Sequence, residues 1–141
     1  MLLENVAKMP KIGSNSTCPC GSKLKYKKCC LIYHKGAKPK TALLLMKSRY
    51  VAYAIGNASY IVKTTHPNNE DYTVELKTWK ESIANFSKET KFLGLEILEF
   101  IDGEREAFVT FKAKLSSGDM VEKSRFLKEE EQWWYEGGEF I

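Results

Sequence analysis

Four cysteines are the residues best suited to chemistry, and all lie in one run: Cys18-Pro-Cys20-Gly-Ser-Lys-Leu-Lys-Tyr-Lys-Lys-Cys29-Cys30. The spacing is Cys-x-Cys, then eight residues, then Cys-Cys. Zinc takes four soft ligands in a tetrahedron at about 2.3 Å each, and two close pairs at the ends of a short loop meet that need with one chain reversal. A disulfide between the neighbours Cys29 and Cys30 would close a strained ring, because bridge geometry is restrictive. An iron–sulfur cluster is disfavoured because the spacing follows none of the common cluster patterns. Four thiolates leave no open position for water, so one structural Zn²⁺ is expected and no catalytic residue is assigned.

The elements around the cysteines follow from the same segment. Gly21 can adopt backbone angles closed to other residues, and its amide could reach a thiolate. Ser22 is the expected N-cap of a short helix over residues 23–31 carrying Tyr26, Cys29 and Cys30. Neighbours on a helix stand about 100° apart, a separation that two ligands of one ion tolerate. Lys23, Lys25, Lys27 and Lys28 would partly offset the net −2 of a zinc tetrathiolate and keep the thiolates deprotonated. With Tyr26 among them, these lysines also form a candidate partner-binding surface.

Charge divides the chain. Residues 1–47 hold ten lysines and one acid, Glu4, for +9; residues 48–141 hold 12 basic and 17 acidic residues, for −5; the sum is the whole-chain +4. A basic head on an acidic body predicts an acidic protein surface or the ribosome/RNA as the head's partner. Residues 1–13 lack the unbroken apolar stretch of a secretory leader. No apolar run reaches the roughly 20 residues that span a bilayer. The expected location is therefore cytoplasmic, where thiols stay reduced and clustered cysteines favour metal, and no membrane partner is expected.

Residues 31–41, with Gly36 and Pro39, read as a linker region. The expected division is an extension over 1–15, a metal motif over 16–33, a linker over 34–41 and a body over 42–141. Such a body should fold alone, with chelation disordering only the head. Helical spacing begins after Thr41 and ends at Gly56-Asn57; shorter helices are expected near 57–64 and 76–87, the latter with Leu76, Trp79, Ile83 and Phe86 on one face. An apolar strand over 92–101 precedes a hairpin signal at Asp102-Gly103. Residues 105–115 alternate, with Ala107, Val109, Phe111, Ala113 and Leu115 on one face. A turn at Ser117-Gly118-Asp119 leads to strands over 120–128 and 132–136. Helices followed by antiparallel strands predict an α+β fold with helices packed on one face of a curved sheet.

The segment CPCGSKLKYKKCC resembles the SEC-C motif, named for the C-terminal tail of the SecA translocation ATPase. The resemblance implies Cys18, Cys20, Cys29 and Cys30 as zinc ligands. It also implies a docking role, because in SecA this small domain contacts the SecB chaperone and the ribosome. The sequence departs from the usual pattern at Lys23, where glycine is common, and at Leu24, where lysine is common. The segment LLLMKSRYVAYAIGNASYIVKTTHP, Trp79, the run Glu122-Lys-Ser124-Arg-Phe126 and the ending Trp134-Tyr-Glu-Gly137 resemble the central domain of the YchJ family. That resemblance implies a nuclear transport factor 2-like cone of helices against a curved sheet.

Folds of this kind often enclose a pocket, so the alternative function is a small-ligand binder or enzyme working in the cone. The candidates are His66, Glu122, Ser124 and tyrosines 50, 53 and 60. Met120, Glu122, Ser124 and Phe126 share one strand face by period 2. Glu122 is expected to pair with Arg49 or Arg125, or to stand at an open mouth; the alternative is a general base in a pocket. His66, before Pro67, is expected at a helix end, and Trp133-Trp134 in sheet packing. A polar-lined cavity containing Glu122 would favour the pocket reading.

Overall fold

The structure is a computed structural model that describes residues 11–141. The reading of the first thirteen residues as something other than a leader, and most of the 1–15 extension, therefore fall outside the described residues. Among the described residues no helix is long and apolar enough to cross a membrane.

A 3-10 turn (Tyr26–Lys28) precedes four helices: α1 (Cys30–His34), α2 (Ala42–Ile55), α3 (Ala58–Lys63) and α4 (Leu76–Glu89). Thr41 Oγ1 accepts from Leu44 N at 3.1 Å to start α2, and Gly56 ends it at φ 78°. Asn57 Oδ1 caps α3 through Tyr60 N at 3.1 Å. On α4, Trp79 and Ile83 are buried, whereas Leu76 and Phe86, expected on the same face, are exposed.

Four strands follow as an antiparallel meander in the order β1 (Phe92–Ile101), β2 (Glu106–Leu115), β3 (Gly118–Glu129), β4 (Gln132–Phe140). The alternation expected in β2 holds at every position: Ala107, Val109, Phe111, Ala113 and Leu115 are all buried. The β2–β3 turn lies earlier than read from sequence, because Leu115 already pairs with Gly118. Register shifts between Phe92 and Gly94, between Ile97 and Glu99, and between Arg125 and Phe126 interrupt the ladders. Each such extra residue bends and twists its strand, which is what curves the sheet around the helices. Leu45, Val51, Ile61, Val109 and Phe126 fill the interior between α2, α3 and the concave face.

The β3–β4 hairpin carries a local conflict. Glu129 pairs with Gln132, leaving the two-residue turn Glu130-Glu131 at φ 53° and 61°. Such a turn needs positive φ at both positions, where Asn-Gly is favoured and a Cβ is strained. Replacing the pair by Asn-Gly is expected to raise stability by about 1 kcal/mol. Urea unfolding of the metal-loaded chain checks this, and the midpoint should rise with unchanged slope.

The head packs on the cone. Residues 34–41, read as a linker, begin with His34, which is half-buried. Tyr26 O–H donates to His34 Nδ1 at 2.6 Å, and His34 Nε2–H donates to the Ser48 carbonyl of α2 at 2.8 Å. The His34 ring also lies 4.6 Å from that of Tyr60, whose hydroxyl shares a 2.7 Å hydrogen bond with Ser48 Oγ. Cys18, Cys20, Tyr26 and Cys30 belong to the same apolar cluster as the core of the cone.

Candidate functional site

The cysteine segment folds differently from the single helix expected over 23–31. Gly21 takes φ 87° and Lys23 φ 70°, two left-handed residues in one tight loop. Lys23 thus holds a backbone angle that glycine adopts without strain. Gly21 N donates to the Cys18 carbonyl at 3.3 Å rather than to a thiolate. Cys18 N donates to Leu24 O at 2.8 Å, and Thr17 bridges to Lys25, closing the loop as a small ribbon. Ser22 caps no helix: its Oγ accepts from Leu24 N and lies 3.2 Å from Cys29 Sγ. After the 3-10 turn, Cys29 breaks the backbone at φ −133°, ψ −113°, and α1 starts at Cys30. That break lets adjacent cysteines face one centre, which an unbroken helix would resist.

All four sulfur atoms lie within 4.8 Å of one another, and none is in a disulfide. The Cys20–Cys29 separation is 3.5 Å. A tetrahedral tetrathiolate with bonds near 2.3 Å has S···S edges of about 3.8 Å, so the donor set fits a metal ion with little movement. Without a cation the thiols perturb one another. Hydrogen bonds with Cys18 and Cys20, with burial, push the Cys30 thiol far up. Cys18 rises to about 11, chiefly by its bond with Cys20, while Cys20 is pulled well down by its bonds with Cys18 and Cys30. A coordinated cation removes this conflict, because every ligand then sits as a thiolate.

The four lysines and Tyr26 of the candidate partner surface separate. Lys23, Lys25, Lys27 and Lys28 are exposed. Tyr26 is only 6 % exposed and bound to His34, so it is removed from that surface. Burial lifts its hydroxyl to about 12, and its contribution is to anchor the head on the cone.

Between the helices and the sheet lies a cavity of about 1250 Å³. Glu122, Ser124, Tyr50 and Tyr53 line it, as do Trp79 and Phe111. Glu122 makes no ion pair with either expected arginine. Its Oε2 accepts from Ser124 Oγ–H and, at 3.0 Å, from Tyr135 O–H. Arg49 Nη1 instead donates to Ile61 O, Thr64 Oγ1 and Thr65 Oγ1 at 3.1, 2.7 and 3.1 Å, with the guanidinium 4.3 Å from the centre of the Tyr135 ring. Arg125 pairs with Glu106 at 2.6 Å and Glu136 at 3.7 Å. Burial raises the Tyr50 hydroxyl to about 12, and burial with the charge of Glu122 raises that of Tyr135 further.

Two other candidates lie off the cavity. Tyr60 turns its hydroxyl to Ser48. His66 Nδ1 accepts from Asn68 N at 3.0 Å and its Nε2–H donates to Glu129 Oε2 at 3.0 Å, so it ties a loop to the β3–β4 hairpin. Trp133 is buried in sheet packing as expected. Sequence reasoning missed His34, Tyr135 and Gly138. Tyr135 was findable, two residues beyond buried Trp133 on the same strand face. Gly138 was not: a Cβ there would stand 2.6 Å from Glu122 Cδ, a contact created by sheet register alone.

Comparison with known proteins gives the same two parts. The family model described as YchJ, middle NTF2-like domain, matches residues 41–138, and the SEC-C motif matches residues 15–31. A UPF0225 protein of Serratia proteamaculans is 38% identical over 130 residues, covering 86% of this chain and 81% of that protein. A UPF0225 protein of Streptomyces coelicolor is 38% identical over 128 residues, covering 88% of this chain and 95% of the relative. The solution structure of a SEC-C motif containing protein from Rhodopseudomonas palustris superposes with a TM-score of 0.75 at 28% identity, over 89% of this chain and 99% of the other. A crystal structure of a SEC-C motif containing protein from Psychrobacter arcticus gives 0.72 at 33% identity, over 87% of this chain and 81% of the other. With an NTF2-like α+β cone behind a SEC-C cysteine cluster able to hold a metal ion, the chain belongs to the YchJ (UPF0225) family.

Proposed function

We propose that the protein is a non-enzymatic binding protein whose SEC-C head, held by one structural Zn²⁺ on Cys18, Cys20, Cys29 and Cys30, docks on an acidic protein surface or on ribosomal or other RNA. Zinc is the metal that an all-sulfur, four-ligand, closed site suits best. When bound, it supplies charge and cross-linking rather than a reactive water. The observation that carries the docking reading is the set of exposed lysines at 23, 25, 27 and 28, none of which makes an ion pair with another described residue. Cationic side chains left unpaired beside a rigid metal loop are available to phosphates or carboxylates. Such exposed contacts are screened over a Debye length of about 8 Å at physiological salt.

The test is co-sedimentation with ribosomes, or binding to total cell RNA, across a salt series. Neutralising four phosphates predicts a fall in affinity on the order of 100-fold between roughly 50 and 200 mM salt. Changing the four lysines to glutamine should abolish the association with zinc content intact, since no lysine is a ligand. Binding by an acidic protein partner would show in a pull-down that loses its prey with the same variant. A wild-type chain that captures neither at low salt, or a variant that binds equally well, contradicts the docking role.

A further inference from the structure

The cone cavity is built around one carboxylate that the docking role does not use. Both hydrogen bonds to Glu122 fall on Oε2, and Oε1 takes none from any described residue. The position of Glu122 is over-determined: Ser124 and Tyr135 hold it from its own face, and Gly138 leaves the space it occupies. Tyr135 is fixed in turn, through His66 N to Tyr135 O at 2.7 Å, Tyr135 N to Thr64 O at 2.9 Å and the Arg49 guanidinium on its ring. Arg49 is nine-tenths buried, and its bonds to Ile61, Thr64 and Thr65 commit it to this frame.

The surroundings say what Oε1 can receive. Aromatic rings of Tyr53, Trp79, Phe86 and Phe111 line the cavity. Six carboxylates border it, Glu122 with Glu70, Asp71, Glu75, Glu136 and Glu139, against the three cations Arg49, Lys123 and Arg125. An acid-rich mouth repels anions and concentrates cations. Aromatic faces add attraction for a positive nitrogen. A charge-assisted N⁺–H···O⁻ bond is roughly twice as strong as a neutral one. We propose that the cone binds a small organic cation, a molecule with an aromatic or aliphatic body in the ring-lined cavity and a protonated amine donating to Glu122 Oε1.

The test compares tryptamine, tryptophol and indole-3-acetate, which share one ring system and differ in head charge, on the full metal-loaded chain. Amide and indole NMR shifts of Gly137, Gly138 and Trp79 report binding and its place. Tryptamine should saturate with shifts at those positions, tryptophol should bind at least tenfold more weakly, and indole-3-acetate more weakly still. Glu122→Gln keeps the shape and should bring tryptamine down to the level of tryptophol. Gly138→Ala displaces the carboxylate from the strand opposite and should do the same, with circular dichroism and the unfolding midpoint confirming that each variant is folded. Equal or tighter binding of the alcohol or the acid, full tryptamine affinity in folded Glu122→Gln, or no saturable tryptamine binding up to tens of millimolar each overturns the proposal.

Discussion

Chelation of the metal-loaded chain under reducing conditions is expected to unfold the head and to lower the stability of the cone as well. The four sulfur atoms stand within 4.8 Å of one another with no covalent link to hold them there. The free energy of metal binding, on the order of 10–16 kcal/mol for structural zinc, is therefore the folding energy of the segment around the cysteines. Loss of that segment removes the Tyr26–His34 and His34–Ser48 hydrogen bonds and the His34–Tyr60 ring contact. At ordinary values for two hydrogen bonds and one aromatic contact, the cone should lose about 2–4 kcal/mol. Cys30→Ser should reproduce both effects. Hydrogen exchange of α2 and α3 amides, with and without chelator, measures the transmission. Unchanged protection there would restore the picture of two independent units that the charge division suggests.

His34→Ala is expected to cost about 3 kcal/mol while leaving the metal in place, because His34 is not a ligand. The substitution orphans the Tyr26 hydroxyl, removes the second hydrogen bond to the Ser48 carbonyl and opens a gap beside Tyr60. An unsatisfied buried polar group costs about 1–3 kcal/mol. The same residue sets a pH dependence. Burial, with the charge of Lys63, lowers the His34 pKa below the ordinary histidine value of 6.5. The unfolded chain then binds the extra proton first. Stability from neutral His34 is fully present above 6.5 and declines as pH falls below that value, with a slope of at most about 1.4 kcal/mol per pH unit. Denaturant unfolding at several pH values, with metal content checked at each, should show this slope in the wild type. In His34→Ala that component should vanish.

Much of the fold was legible because local rules and tertiary demands agree. The caps at Thr41 and Asn57, the αL Gly56 and the five buried positions of β2 all declare themselves in the pattern of residues. The cysteine cluster was legible for a different reason: four thiols within thirteen residues, in two close pairs, have the spacing that a metal site needs. The losses occurred where local cues misled. Ser22 looks like an N-cap, but a helix cannot run through Lys23 at φ 70°. Residues 34–41 have linker composition, yet His34 is the hinge pin between head and cone, and nothing in a Tyr-His-Lys-Gly run announces two long-range hydrogen bonds. Period 2 put Glu122 on the strand face of Phe126, and both line the cavity, but the partners of Glu122 depend on register. Tyr135 reaches it only because β4 carries an extra residue opposite Arg125 and Phe126.

Coupling between the two parts gives the proposed docking role a structural logic. A lysine loop on a free tether would engage its partner at the expense of its own ordering entropy. Here the loop carries a cysteine cluster able to hold a metal ion on one side and is anchored by Tyr26 and His34 on the other, so its charges are presented in a set arrangement. The two parts meet at α2, which carries Ser48 beside His34 and Arg49 beside the cavity.

Cys18, Cys20, Cys29 and Cys30 are proposed to hold one zinc ion together. Native mass spectrometry of the full chain purified without added metal, with elemental analysis of the same sample, tests it directly. The account predicts one zinc per chain, four thiols that resist alkylation under reducing native conditions, and loss of both properties in Cys30→Ser. A folded chain with no zinc, and four thiols that alkylate freely under the same conditions, would contradict it.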